Sequence, residues 1–119
     1  MKIAITSKGQ DLDSQVDPRF GRAAYILVVD TDTMAFEVID NKANQNAFKG
    51  AGIQAAASVG DKDAKVLLTG FCGPNAFTTL DAAGIKVAND ASGTVREVVD
   101  QFNAGKFQYA DAANVDGHW

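Results

Sequence analysis

The chain contains very little cysteine, histidine and proline. Its 119 residues include one cysteine, Cys72, one histidine, His118, and two prolines. A single cysteine cannot form an intramolecular disulfide, and one cysteine with one histidine does not supply the four ligands of a structural zinc or iron-sulfur site. We therefore expect that any metal bound here brings most of its own ligands.

The sequence also lacks strong positive charge and long apolar runs. Its net charge is −4 at pH 7, with 11 basic against 15 acidic residues, and this charge repels the phosphates of nucleic acids. The first apolar stretch, in MKIAITSKG, is too short for a signal peptide or a membrane span. We predict a cytoplasmic protein that binds neither nucleic acid nor membrane.

Five short segments rich in Ile, Val, Leu and aromatic residues predict β-strands. They are residues 2–6, 24–30, 36–40, 65–69 and 85–88. The first and fourth segments are almost entirely apolar, which is typical of central strands covered on both faces. The five-residue link TDTMA between the second and third segments predicts an antiparallel hairpin.

Apolar residues at helical spacing predict three α-helices. Their apolar faces are Ile53, Ala56 and Ala57 in the first; Ala76, Phe77, Leu80 and Ala83 in the second; and Val95, Val98, Val99 and Phe102 in the third.

Capping signals support the second and third helices. Thr94 and Glu97 have the spacing of a capping box, and Gly105 is placed to end the third helix. Pro74 suits the first turn of the second helix and Gly84 its end. The element order β-β-β-α-β-α-β-α then predicts one α/β domain over residues 1–119.

In that arrangement strand 2 is antiparallel to the other four strands. Four loops then meet at the carboxyl end of the sheet, residues 7–21, 41–49, 70–73 and 89–93. Open α/β sheets bind their ligands at this edge. The first loop is too long to be a simple connection, which favours a functional role.

Charged and glycine-rich positions on this edge allow two interpretations. Arg19 and Arg22 in the first loop either pair with Asp11, Asp13 or Asp17 or clamp an anion. The predicted helix starts near Gly50, at residues 73–74 and at residues 92–94 offer backbone N–H groups to an anion, although every α/β fold has such starts. Neighbouring glycines would let a bulky ligand approach the backbone.

Two nucleotide-binding motifs fail on inspection. GAGIQA at residues 50–55 has the G-x-G-x-x-A pattern, but no predicted strand ends directly before it. GFCGPN at residues 70–75 lacks the lysine and hydroxyl of a phosphate-binding loop.

Cys72 has three interpretations. It could be a soft metal ligand, a redox-sensitive thiol partly ionised by the following helix start, or a small buried apolar residue. A nucleophile would need a general base, and the only histidine is His118, next to the last residue.

Several motifs together resemble the dinitrogenase iron-molybdenum cofactor biosynthesis family. They are VDPRFGRA at residues 16–23, TGFCGPNAFTTLDAAGIKV at 69–87, SGTVREVVDQFNAG at 92–105 and the terminal HW. The resemblance covers most of the chain. It implies a ribonuclease H-like three-layer fold with a five-stranded mixed sheet in the order 3-2-1-4-5.

The resemblance also implies a noncatalytic carrier or scaffold for a preformed metal-sulfur cluster, either a noncovalently bound molybdenum-copper sulfide or an iron-molybdenum cofactor-like cluster. Cluster donor and acceptor proteins would be its partners. The family does not in general require cysteine in the G-P-N-A loop, so it assigns no ligand role to Cys72, which remains the one candidate metal ligand. The residues expected to bind the cluster are Arg19, Phe20, Gly21, Arg22, Gly70, Phe71, Cys72, Gly73, Pro74, Asn75, Ser92, Gly93 and His118.

A nuclease on this fold would need clustered carboxylates with one on the first strand, and KIAIT has none. A regulatory module that binds a small anion or a nucleotide at the same sheet edge stays open as the alternative.

Overall fold

The computed structural model describes residues 1–45 and 50–113. Its strands are β1 (Lys2–Ser7), β2 (Tyr25–Asp30), β3 (Phe36–Asp40), β4 (Val66–Leu68) and β5 (Lys86–Ala88). Its helices are α1 (Lys42–Gln45), α2 (Ala51–Asp61), α3 (Pro74–Ala82) and α4 (Val95–Asn103). All five predicted strands and three predicted helices are present, and α1 is an additional short helix. None of the helices in the described ranges is long and apolar enough to cross a membrane.

The strands form one mixed sheet in the order β3-β2-β1-β4-β5, which confirms the predicted order. Strand β2 pairs antiparallel with both β1 and β3, whereas β1, β4 and β5 run parallel. Ser7 lies opposite Tyr25, which lies opposite Asp40. The end of β1, the start of β2 and the end of β3 therefore share the carboxyl edge of the sheet.

Helices cover the sheet on both faces, so the domain has three layers. Successive side chains of β1 point to opposite faces, as the pleat of a strand requires. Ile3 and Ile5 belong to the core cluster that contains the buried face of α4, and Ala4 belongs to the cluster beneath α2 and α3. The predicted apolar face of α4 is confirmed, with its three valines fully buried.

The predicted apolar face of α2 is confirmed at Ala56 and wrong at Ile53 and Ala57. Ile53 is 44% exposed and Ala57 is also exposed, while the buried side chains are Ala51, Ala55, Ala56 and Val59. The reason is close helix packing, since a Cβ added to Gly52 would lie 2.9 Å from the Cβ of Ala76 on α3. Only small residues fit this contact, so the larger Ile53 faces outward. Ala83, predicted on the α3 face, is likewise exposed.

The predicted helix ends are confirmed. Thr94 and Glu97 form a complete capping box at the start of α4, and Pro74 is the first residue of α3. Gly84 and Gly105 follow the last turns of α3 and α4 with φ of +75° and +72°, a left-handed conformation that glycine adopts without steric cost.

The segment after α4 returns to the sheet beside β5. The backbone N–H of Ala110 donates to the carbonyl oxygen of Val87 at 2.7 Å. This contact lies on the side of β5 that faces away from β4.

Candidate functional site

The first half of the long first loop packs on the start of α4. The backbone N–H of Val95 donates to Ser14 O at 2.9 Å, and that of Arg96 donates to Leu12 O at 2.8 Å. Within the capping box, Glu97 N–H donates to Thr94 Oγ1 at 3.1 Å and Thr94 N–H to Glu97 Oε1 at 3.0 Å. The chain itself therefore satisfies the first four N–H groups of α4.

This finding corrects one expectation about the site. The helix start at residues 92–94 was predicted to offer N–H groups to an anion, but the N–H groups of Thr94 and of the first turn of α4 are already bonded within the protein. Ser92 is exposed, and Gly93 adopts φ of +92° with its carbonyl oxygen accepting from Val16 N–H at 2.8 Å. Ser92 and Gly93 lie beside the edge, but α4 has no free backbone donor to contribute.

The start of α3 is different. Gly73 caps this helix without a side-chain hydrogen bond, and the next residue, Pro74, has no N–H. The N–H groups of Asn75 and Ala76 find no acceptor among residues 1–45 and 50–113. Pro74 and Asn75 are exposed. Ala76 is buried, so the first turn of α3 presents the N–H of the exposed Asn75 and the positive end of the helix dipole at the carboxyl edge.

The second half of the first loop lies against the connection from β4 to α3. The N–H of Phe20 donates to Phe71 O at 3.1 Å, and the N–H of Phe71 donates to Pro18 O at 2.6 Å. A bridge pairs Arg19 with Phe71, so Arg19 lies close in space to the residues that precede α3. Gly70 permits this contact, because an added Cβ would lie 2.7 Å from the Pro18 Cβ.

Arg19 is paired with an aspartate and still faces solvent. Its Nε lies 3.6 Å from Asp17 Oδ1, which confirms one of the ion pairs considered from the sequence. The Arg19 side chain is 44% exposed and that of Asp17 is 4% exposed. The pairing leaves Arg19 at the surface, in the loop segment that is bridged to Phe71 ahead of α3.

Arg22 has a structural role that the sequence did not predict. Its side chain is half-buried, and its Nη1 donates to the carbonyl oxygens of Asn44 and Gln45, each at 3.3 Å. Asn44 and Gln45 are the last two residues of α1, in the loop that follows β3. Arg22 therefore holds two loops of the edge together.

Asn41 also joins these loops, and sequence reasoning missed it. It is 2% exposed, and its Nδ2 donates to Ala23 O at 2.8 Å and to Gly21 O at 3.2 Å. Its Oδ1 accepts from Asn44 Nδ2 at 2.8 Å. The sequence signal was an asparagine directly after a strand, a residue type that commonly bonds nearby backbone in loops. Gly21 itself is buried with φ of +90°, in contact with the start of α2.

Cys72 and Phe20 lie beneath the edge in the core. Both belong to the cluster under α2 and α3, with 0% and 1% exposure. Burial raises the pKa of the Cys72 thiol to about 12, which argues against the interpretation of Cys72 as a partly ionised thiol. The reason is that loss of water around the sulfur outweighs the nearby helix dipole. The structure favours the third interpretation of Cys72, a small buried residue.

A further cation on this edge was not predicted. Lys42 Nζ lies 4.9 Å from the centre of the Tyr25 ring, and interaction with Tyr25 raises the pKa of Lys42. The Tyr25 hydroxyl accepts from Gln10 Nε2 at 3.0 Å. A lysine directly after β3 was the available signal.

The described side chains do not supply a conventional metal site. Across residues 1–45 and 50–113 no three His, Cys, Asp or Glu residues are grouped so that they could hold a metal ion. His118, which was predicted to contact the ligand, lies outside the described residues. The edge instead provides cations, backbone donors and the partly exposed ring of Phe71.

Comparisons with known proteins agree with this architecture. Residues 1–105 match the model of the family described as dinitrogenase iron-molybdenum cofactor. The apo form of the orange protein from Desulfovibrio gigas is 50% identical over 96% of each chain, with a TM-score of 0.93. A Thermotoga protein classed as a NifB candidate of the DUF35 family is 37% identical over 98% of each chain, with a TM-score of 0.83.

More distant similarity shows the fold alone. A protein from Methanocaldococcus jannaschii described as a dinitrogenase candidate is 16% identical, with a TM-score of 0.68. No curated protein matches the chain. The match over residues 1–105 and the 50% identity to the orange protein show that the chain belongs to the dinitrogenase iron-molybdenum cofactor family.

Proposed function

We propose that this protein binds and carries a preformed anionic metal-sulfur cluster, without catalysing a reaction on it. The observation that carries the proposal is the pairing of the Arg19 segment with Phe71, just before a helix start whose Asn75 N–H has no acceptor in residues 1–45 and 50–113, in a member of a cofactor family. A molybdenum-copper sulfide is the first expected cargo, and an iron-molybdenum cofactor-like cluster is the second.

The donor set supports a cluster whose metals are already ligated by sulfide. Such a cluster is a bulky anion, and it is retained by positive charge, hydrogen bonds and apolar contact more than by protein thiolates. Each interaction has a source on this edge. The guanidinium of Arg19 supplies positive charge, the N–H of Asn75 at the start of α3 supplies a hydrogen bond, and the partly exposed Phe71 supplies apolar contact.

The proposed binding surface is narrower than the one predicted from sequence. It consists of Arg19, Phe71, the exposed Pro74–Asn75 turn and the start of α3, with Gly70 allowing the first loop to lie close. Phe20, Gly21 and Cys72 support it from below. Arg22 shapes the neighbouring loop, and Ser92 and Gly93 lie at its margin.

The test is uptake of a coloured cluster. Oxygen-free protein would be mixed with tetrathiomolybdate and copper(I), separated from free reagent, and analysed by visible absorption and metal content. We expect a retained chromophore with stoichiometric metal. A wild-type protein that retains no metal but binds inorganic phosphate or a nucleotide would overturn the proposal in favour of a regulatory module.

Arginine variants locate the site. Arg19→Ala should weaken cluster retention about tenfold. This is the low end of the effect expected for a hydrogen bond to a charged group, because the Arg19 side chain is 44% exposed and water weakens the interaction. Arg96→Ala is the matched control, since Arg96 is similarly exposed and pairs with Asp13 on the opposite side of the first loop. Equal retention by both variants at raised salt would remove Arg19 from the site.

A further inference from the structure

The geometry points to Asp17 as a positioning residue that holds Arg19 ready for the anion. This inference rests on the proposed function, because it concerns the same surface. It adds a residue that was not among those expected to bind the cluster, and it gives a physical means of restraining an exposed arginine.

The backbone of Asp17 is fixed by the central strand β1. Its N–H donates to Thr6 O at 3.0 Å, and its carbonyl oxygen accepts from Thr6 Oγ1 at 2.6 Å. The Thr6 hydroxyl lies 2.9 Å from that of Thr69, at the end of the neighbouring central strand. All three residues are buried. The backbone that carries the Asp17 carboxylate is therefore bonded to the middle strand of the sheet.

The carboxylate contacts Arg19 at two points. Oδ1 accepts from the backbone N–H of Arg19 at 3.1 Å and lies 3.6 Å from its Nε. No other ion pair or hydrogen bond of the Arg19 side chain occurs in the described ranges 1–45 and 50–113. Asp17 therefore restrains the root of the guanidinium and leaves its two Nη groups for a ligand.

Holding a long side chain in place before binding reduces the conformational entropy lost on binding. The same carboxylate also repels an anion and offsets part of the Arg19 charge. These two effects have opposite signs, and salt separates them because it screens the repulsion more than it affects the orientation.

Two substitutions separate the role of Asp17 in the turn from its role as a charge. Asp17→Asn keeps an oxygen that accepts from the Arg19 N–H but removes the ion pair, whereas Asp17→Ala removes both. In the tetrathiomolybdate and copper(I) assay at high salt, Asp17→Asn should weaken retention about twofold to tenfold, the cost of ordering one free side chain. At low salt the loss of retention should be smaller. There the Asp17 carboxylate of the wild-type protein repels the anionic cluster without screening, and Asp17→Asn removes that repulsion.

The double variant shows whether Asp17 acts through Arg19. In an Arg19→Ala background, Asp17→Asn should cause no further loss of retention at high salt. A further loss of the same size would show that Asp17 acts independently, and the positioning role would be wrong. Urea unfolding of each variant identifies any loss that comes from a destabilised fold.

A second readout does not depend on cluster binding. The chain has three arginines, so their Nε–H signals can be assigned in a ¹⁵N-labelled sample. The heteronuclear NOE of the Arg19 Nε–H should fall in Asp17→Asn, while those of Arg22 and Arg96 stay unchanged. An unchanged Arg19 signal would overturn the inference. If the wild-type protein retains no metal while its Arg19 Nε–H signal shows a restrained side chain, the result would count against the proposed function and not against the role of Asp17.

Discussion

At alkaline pH the buried thiol of Cys72 should destabilise the fold. The pKa of this thiol is about 12 in the folded protein, against about 8.5 for an exposed cysteine in the unfolded chain. Because the folded pKa is the higher one, the thiol stabilises the fold fully below about pH 8.5. That contribution is lost as the pH rises toward 12.

The expected loss follows from proton linkage. At pH 10 the unfolded chain gains about 2 kcal/mol from ionising this cysteine, while the folded protein keeps it protonated. The result changes little if the folded pKa is one unit lower, because the thiol is still almost fully protonated at pH 10. The size of the effect therefore depends mainly on whether the sulfur is buried.

The assay compares wild-type protein with Cys72→Ala by urea unfolding at pH 7 and pH 10, under reducing conditions without oxygen. All other residues are the same in both proteins, so their contributions cancel in the difference. The gap in unfolding free energy should shift by about 2 kcal/mol in favour of Cys72→Ala between the two pH values. A gap that stays constant would mean that water reaches the sulfur, and the assignment of Cys72 to the core would be wrong.

Three further substitutions test local features by chemical denaturation. Thr94→Ala should cost about 0.5 to 2 kcal/mol, whereas the exposed Asp100→Ala on the same helix should change stability by less than about 0.5 kcal/mol; equal effects would argue against the cap. Asn41→Ala should cost about 1 to 3 kcal/mol because two buried carbonyls lose their donor, and a neutral result would mean that water replaces it. Gly70→Ala should cost about 1 to 3 kcal/mol because its Cβ would overlap Pro18. No change in stability would mean that the loop moves to make room for the added methyl group.

The sequence predicted the sheet well because its signals are local. Runs of β-branched residues locate the strands, and the short link after Asp30 makes a hairpin the simplest connection. Helix ends were equally predictable, since Thr94 with Glu97 and the glycines after α3 and α4 act within one turn. In each of these cases a few consecutive residues determine the conformation.

The burial of α2 could not be predicted in the same way. In an alanine-rich helix several faces are almost equally apolar, so periodicity does not choose between them. The choice is made by the contact of Gly52 with Ala76, which are far apart in sequence. Ile53 is the largest apolar residue of the predicted face, and it points outward because that contact has no room for it.

The candidate site was predicted in position but not in detail. The loops at the carboxyl edge follow from strand order, and Arg19 stands in the expected loop. The contacts that decide which groups are available join distant segments, such as Ser14 with Val95 and Arg22 with Asn44. Those contacts occupy hydrogen-bond donors that appear unbonded from the sequence alone. The N–H groups of the first turn of α4 were therefore expected to be available to a ligand, whereas the first loop already binds them.

The hairpin between β2 and β3 gives this protein a convenient attachment point. Its tip, at Asp32 and Thr33, is exposed and lies at the opposite end of the sheet from Arg19. Exposed tips with small polar residues tolerate insertion better than loops whose backbone is bonded to the core. A fluorophore or an affinity tag placed there would report on cluster uptake without touching the binding edge, whereas the same insertion in the first loop would break its bonds to both α4 and Phe71.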